Sequence, residues 1–179
     1  MKYETIIAQR VIETERFDLR PLRASDAGLI ALNAGDMRVA RATATIPHPY
    51  PPGAAEALIA RAQAETRLED IWAIDATKVG GSELMGLISF TRVDAGQSEI
   101  AYWVAPAFWN TGVASAAVEA LIAANPHDAR TIFASVFQDN PASARVLTNC
   151  GFQYLGDAET HSVARGANVP TWTYTRKML

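Results

Sequence analysis

The chain has 179 residues, a length that suits one domain, residues 1–179, and leaves no room for a separate regulatory module. Hydrophobic residues make up 49% and charged residues 20%, ample material for a buried core, which excludes disorder as the global state. Sixteen Lys and Arg against nineteen Asp and Glu give a net charge of -3, so no bulk field draws the protein to nucleic acid or an anionic membrane. Any anion it binds must be held locally.

In chain order, residues 14–22 (TERFDLRPL) alternate Phe17 and Leu19 with charged side chains, the period of a half-buried strand that Pro21 ends. Ser25 and Asp26 open a short helix whose stripe of Leu29, Ile30 and Leu32 stops near Gly35. Four prolines between residues 46 and 53 remove backbone donors and stiffen the path, so this segment is expected as an ordered surface loop. Ala55, Leu58, Ile59 and Ala62 then fall at helical spacing. Residues 71–76 and 84–93 read as a hairpin turning at Gly80-Gly81, and residues 99–104 as a third strand.

Val113–Ala124 is a helix of small and apolar residues with one charge, Glu119, stopped by Asn125-Pro126. It is too short to span a bilayer, and the charged first seventeen residues lack the apolar stretch of a signal peptide. Thr131–Phe137 is a strand. Asn140-Pro141 opens another helix, with Asn as N-cap and Pro at the first helical position, and Gly151 closes it in the left-handed region. Strands at 152–155 and 171–177 finish the chain. The expected order is β-α-α-β-β-β-α-β-α-β-β, a mixed α/β sheet with a parallel crossover between the strands at 99–104 and 131–137.

One cysteine, Cys150, excludes an internal disulfide, and three scattered histidines make no recognisable metal site, so no metal is expected. A reducing, cytoplasmic setting follows, without membrane attachment. Cys150 precedes the helix-ending glycine on an apolar side and reads as a buried structural thiol rather than a covalent acyl carrier.

Two segments carry chemistry. At Asn110-Thr111-Gly112-Val113-Ala114-Ser115 a strand gives way, through a glycine, to a helix of tiny side chains. Its first backbone N–H groups lie unpaired at a positive helix end, a cradle for a phosphate, although a plain strand-to-helix turn stays open. Neither a Walker motif nor the dinucleotide fingerprint is present. The second segment is NPASARVLTNCGF, from Asn140 to Phe152.

Together with TERFDLRPLRASDA, the hairpin ending MGLISF and the block EIAYWVAPAFWNTGVASAAVEAL, this segment resembles the acyl-coenzyme-A-binding core of GNAT N-acetyltransferases, specifically their RimJ/RimL-type branch. The resemblance covers nearly the whole chain and implies a GNAT fold and acetyl-CoA as acyl donor. It implies that Gly112, Val113, Ala114 and Ser115 bind the pyrophosphate, with Asn110 and Thr111 leading in. The family usually has glycine at the position of Asn110, and asparagine tolerates positive φ better than most residues. Trp103 and Val104 would lie beside the pantetheine arm, and Asn140 would contact it.

Many relatives place a tyrosine seven residues after that asparagine to protonate the leaving thiolate, a position held here by Leu147. In the RimJ/RimL-like branch a serine three residues after the asparagine is the substitute, here Ser143. Glu99 shares a strand face with Ala101 and Trp103 and is the best candidate base. The acceptor pocket is expected from the loop at 46–53, from Trp72 and Phe90, each open to a core role instead, and from Glu99.

The expected reaction is direct attack of an amine on the thioester in a ternary complex, without a metal. The acceptor is a protein N-terminal amine or a small-molecule amine; a homodimer is compatible with this reading. Deprotonating an α-amine of pKa about 8 at pH 7 costs roughly 1.4 kcal/mol, against roughly 4.6 for a lysine near 10.4, so a weak base suits an N-terminal amine. The rival reading, kept open by Leu147 and Asn110, is a non-catalytic acyl-CoA-binding module of the same fold.

Overall fold

A computed structural model describes residues 9–179. Eight strands form one sheet in the order β1-β2-β3-β4-β5-β6-β8-β7. They are β1 (Ile12–Glu13), β2 (Asp18–Pro21), β3 (Glu69–Asp75), β4 (Gly86–Asp94), β5 (Gln97–Val104), β6 (Thr131–Phe137), β7 (Gln153–Ser162) and β8 (Ala167–Lys177). The helices are α1 (Ala27–Ala34), α2 (Met37–Ala40), α3 (Ala54–Ala62), α4 (Val113–Ala124) and α5 (Pro141–Asn149). Every neighbouring pair is antiparallel except β5 with β6, which are parallel across the α4 crossover. The mixed α/β architecture and the parallel pair read from the sequence are both present.

Strand parity sorts the core into two layers, because successive side chains point to opposite faces. Ile71, Ala73 and Leu87 face α1 and α3 and pack with Ile30, Ala55 and Ile59. Trp72, Phe90, Ile100 and Ile132 face the other way and pack with Leu121 of α4 and Leu147 of α5. Helix α4 is bounded as expected and ends at Asn125 in the left-handed region (φ 38°).

Several elements depart from the sequence expectation. Residues 14–17 form a turn rather than strand, with the Thr14 hydroxyl donating to the Phe17 carbonyl (2.7 Å) and accepting from its N–H (3.1 Å). Ser25 and Asp26 lie in a 3-10 turn before α1. Asp26 is fully buried, and its carboxylate takes a bidentate hydrogen bond from Arg20 (2.8 and 3.0 Å) while Arg20 Nε donates to Asp75 (2.6 Å). Four residues of α2 were not foreseen. The last two strands are much longer than expected, and their hairpin tip reaches back to the loop after α2 through Val163 N–H to the Ala44 carbonyl (3.0 Å).

The feature that positions a site is the short ladder between β5 and β6. It pairs Gln97, Ser98 and Glu99 with Thr131, Ile132 and Phe133 and has no further pairs. Beyond it β6 continues against β8 up to Phe137, while β5 continues against β4 up to Val104. The sheet therefore splits into a wedge, with one edge of β5 free of a ladder partner.

Candidate active site

Two cavities meet in this wedge. The first, of about 720 Å³, runs along the start of α4 and is lined by Asn110, Gly112, Val113, Ala114 and Ser115, by Val104 on β5 and by Arg145 on α5. The second, of about 660 Å³, spans the wedge, from Tyr50, Arg61, Glu69, Thr91 and Glu99 on the α1 and α3 side to Ile100 and Leu147 on the α5 side. Six residues line both: Ala42, Thr43, Tyr102, Trp103, Asn140 and Ser143. A group held in one cavity meets a group held in the other only at this junction.

The first cavity opens on a helix start whose backbone N–H groups carry positive partial charge. Gly112 takes φ 80°, ψ 5° as the N-cap of α4 and supplies no side-chain cap, so the N–H groups of the first turn have no intrahelical partner. Asn110 also has positive φ (60°), which lets two sharp bends pack the approach to the helix. Arg16, carried here by the turn at 14–17, donates to the Thr111 carbonyl (2.9 Å) and fixes the loop from outside. Thr111 itself lines neither cavity: its hydroxyl donates to the Phe108 carbonyl and its own carbonyl is held by Arg16. Thr111, expected to lead in to the pyrophosphate site, thus shapes the loop without lining either cavity. Arg38 lies 5.6 Å from the centre of the Trp109 ring, whose Nε1 donates to the Val104 carbonyl (2.7 Å).

The floor of the second cavity follows from register. Glu69, Thr91 and Glu99 stand side by side on β3, β4 and β5, and Ile71, Ser89 and Ala101 form the next row. Glu99 keeps solvent access, yet the pocket walls desolvate it and, with the Glu69 charge two strands away, push its carboxyl above the ordinary carboxylate range. From the proline-rich loop, Ile46 and Tyr50 reach the wall.

Trp72 and Phe90, expected in this pocket, are both fully buried and line neither cavity. They sit at the opposite strand parity from Ile71 and Ser89, so their rings point under α4. Trp72 Nε1 donates to the Arg10 carbonyl (2.8 Å), and Phe90 stacks on His127 with 4.5 Å between ring centres. Both are core residues.

At the junction, Asn140 caps α5, its Oδ1 accepting from the Ser143 N–H (3.4 Å). The Ser143 hydroxyl lies 2.9 Å from Tyr102 Oη, a partner the sequence reading missed. Leu147 is fully buried in the core, so its position supplies no acid. Cys150 is buried beneath the α4 start, its Sγ 3.7 Å from the Ser115 carbonyl, and burial pushes its thiol up to about 11. No group of three or more potential metal ligands occurs among the described residues, and no helix among them is long and apolar enough to cross a membrane.

A split mixed sheet, with an uncapped glycine-led helix on one side of the wedge and a carboxylate-floored pocket on the other, defines a domain of the GNAT acetyltransferase class. Residues 16–153 match the family model for the acetyltransferase (GNAT) domain, and the chain belongs to that family of acetyl-CoA-dependent acetyltransferases. Membership supports an acetyl-CoA-dependent acetyltransferase. Among solved structures, the spermidine N-acetyltransferase from Vibrio cholerae in complex with CoA and spermine is similar at 16% identity over 92% of this chain and 96% of that one, with TM-score 0.77. RimL, a ribosomal L7/L12 alpha-N-protein acetyltransferase in complex with coenzyme A, is similar at 17% identity over 94% and 98%, with TM-score 0.77. The microcin C7 self-immunity acetyltransferase MccE, in complex with acetyl-CoA and AMP, is similar at 17% identity over 92% and 94%, again at 0.77. At these identities the likeness defines the fold. No curated protein matches the sequence.

Proposed function

We propose that the protein transfers the acetyl group of acetyl-CoA to a primary amine, a protein N-terminus or a small-molecule amine, by direct attack in a ternary complex, in the manner of the RimJ/RimL-type branch. The observation that carries this reading is the junction: two cavities that meet in the wedge between β5 and β6 share six residues, a place where donor and acceptor held in separate cavities come together.

In this reading the Val113, Ala114 and Ser115 N–H groups hold the pyrophosphate at the α4 start, and Asn110 and Gly112 shape the approach. The unladdered edge of β5 at Trp103 and Val104 pairs with the pantetheine arm, and the Asn140 amide nitrogen, left free by its capping role, donates to the same arm. Glu99 takes a proton from the incoming ammonium, directly or through water; its raised pKa brings it closer to the task than an ordinary carboxylate. The amine nitrogen bonds the thioester carbonyl carbon and releases its second proton to water; as the C–S bond breaks, its electron pair goes to sulfur and the Ser143 hydroxyl donates a hydrogen bond to the thiolate. Positioning and backbone N–H groups supply most of the rate, and no step calls for a metal. The buried free thiol of Cys150 suits a reducing, cytoplasmic setting.

The test is release of CoA thiol from acetyl-CoA across a panel of N-terminal peptides, polyamines and other small amines. Turnover with at least one class, abolished when the amine is blocked, supports the reading; no acceleration over the buffer rate with any amine contradicts it.

A further inference from the structure

We propose that Tyr102 is a positioning residue that aims the Ser143 hydroxyl at the departing thiolate, the two forming a one-way chain of hydrogen bonds from phenol to serine to sulfur. The inference rests on the assignment of Ser143 above and adds to it a residue on another element, β5.

Tyr102 points to the α5 side of β5, between Ala101 and Trp103, which face the other way. Its Oη stands 2.9 Å from Ser143 Oγ and 3.2 Å from the Ser143 carbonyl oxygen. One phenolic hydrogen satisfies one of these acceptors well, and the shorter contact is the hydroxyl. Either hydroxyl can donate in the shorter contact; in the proposed arrangement the phenol, the stronger donor of the two, gives to the Ser143 hydroxyl rather than to the carbonyl. Serine then has one hydrogen left and no reason to spend it on Tyr102. Both residues line both cavities, so that hydrogen is directed into the junction where the thioester sits.

Burial pushes the Tyr102 phenol up to about 12, so it stays protonated throughout turnover. Neither hydroxyl gives its proton away. The C–S bond breaks with its electron pair on sulfur, the thiolate is held by the Ser143 hydrogen, and solvent protonates it later. Donation from Tyr102 polarises the Ser143 O–H and strengthens that last bond as charge grows on sulfur. This arrangement offers a physical reason why a chain with Leu147 in the usual acid position can still stabilise its leaving group.

The experiment compares Ser143→Ala, Tyr102→Phe and the double variant with acetyl-CoA and with its selenoester analogue, whose selenolate is a much weaker base than a thiolate. Hydrogen bonds to charged groups are worth enough that S143A is expected to lose about 10- to 100-fold in kcat, and Y102F about tenfold, with KM for acetyl-CoA unchanged. The double variant is expected to be no slower than S143A alone, and both losses are expected to shrink with the selenoester. A purely structural Tyr102 would give losses that multiply and do not depend on the leaving group. Should Y102F fold poorly, 3-fluorotyrosine at position 102 keeps the hydroxyl and the shape, and is expected to hold kcat within threefold of wild type. Full activity of Y102F beside a slow S143A overturns the role of Tyr102 and leaves Ser143 standing. Full activity of S143A overturns both.

Discussion

Gly112→Ala probes the anion cradle with a cost that can be worked out in advance. Gly112 has φ 80°, where an L-residue with a Cβ carries a penalty of about 1–2 kcal/mol. The added methyl would meet only Arg16 Nη1 at 3.4 Å, the far end of a flexible side chain, so sterics add little. For a chain of this size each kcal/mol moves Tm by about 2–4 °C, so a fall of about 2–8 °C is expected in a thermal melt. A loop that swings to relieve the strain also loses the Arg16 bond to Thr111 (2.9 Å), and the first-turn N–H groups no longer converge. The KM for acetyl-CoA is therefore expected to rise about tenfold in a CoA-thiol release assay, with a smaller change in kcat. An alanine variant with the wild-type Tm and KM would refute both the strain at Gly112 and its place in the cradle.

Three further outcomes follow from named contacts. Asp26→Asn leaves Arg20 without its buried bidentate carboxylate and is expected to cost about 3 kcal/mol by urea denaturation; a loss under about 1 kcal/mol would contradict the weight given to this pair. Glu99→Gln should slow turnover yet leave stability at pH 7 equal or higher. A carboxyl whose folded pKa lies above its unfolded value costs stability as pH rises through that interval, and glutamine removes the cost. Wild-type turnover in E99Q would exclude Glu99 as the base. Asn140→Asp keeps the cap on α5 and removes the amide donor, so acetyl-CoA affinity should drop about tenfold at unchanged Tm, whereas Asn140→Ala should lose both; equal affinity in the two variants and wild type would reduce Asn140 to a cap.

Much of this fold is written in local signals. The run of small residues from Val113 to Ala124, and the Asn140-Pro141 start with its Gly151 stop, each determine their own boundaries, and α4, β6 and α5 fall where those signals put them. Trp72 and Phe90 show where local reading ends. The segment EDIWAID is buried on both faces of β3, so no alternation tells which face Trp72 takes; only pairing with β2 and β4 decides it. Tyr102 was passed over for a related reason. Its neighbours Glu99, Ala101 and Trp103 face the acceptor side, while its own partner lies 41 residues away on α5 and comes into reach only when the helix docks. The long β7–β8 hairpin escaped because β7 is exposed on both faces over most of its length and carries no alternation of apolar residues. Thr111 fell within a motif whose neighbours line the cavity, but its own carbonyl and hydroxyl are turned back into the loop.

The measurement that tests the account most directly is thermal unfolding of the protein with acetyl-CoA, alongside ADP and free pantetheine. In the proposed reading each fragment would engage one stretch of the wedge, the α4 start or the β5 edge, and the whole ligand both. At a concentration 100 times the dissociation constant, about 2.7 kcal/mol of stabilisation is expected, a Tm rise of roughly 5 to 10 °C that exceeds the rise with either fragment. An unchanged Tm at millimolar acetyl-CoA would contradict the assignment of the two cavities to donor and acceptor.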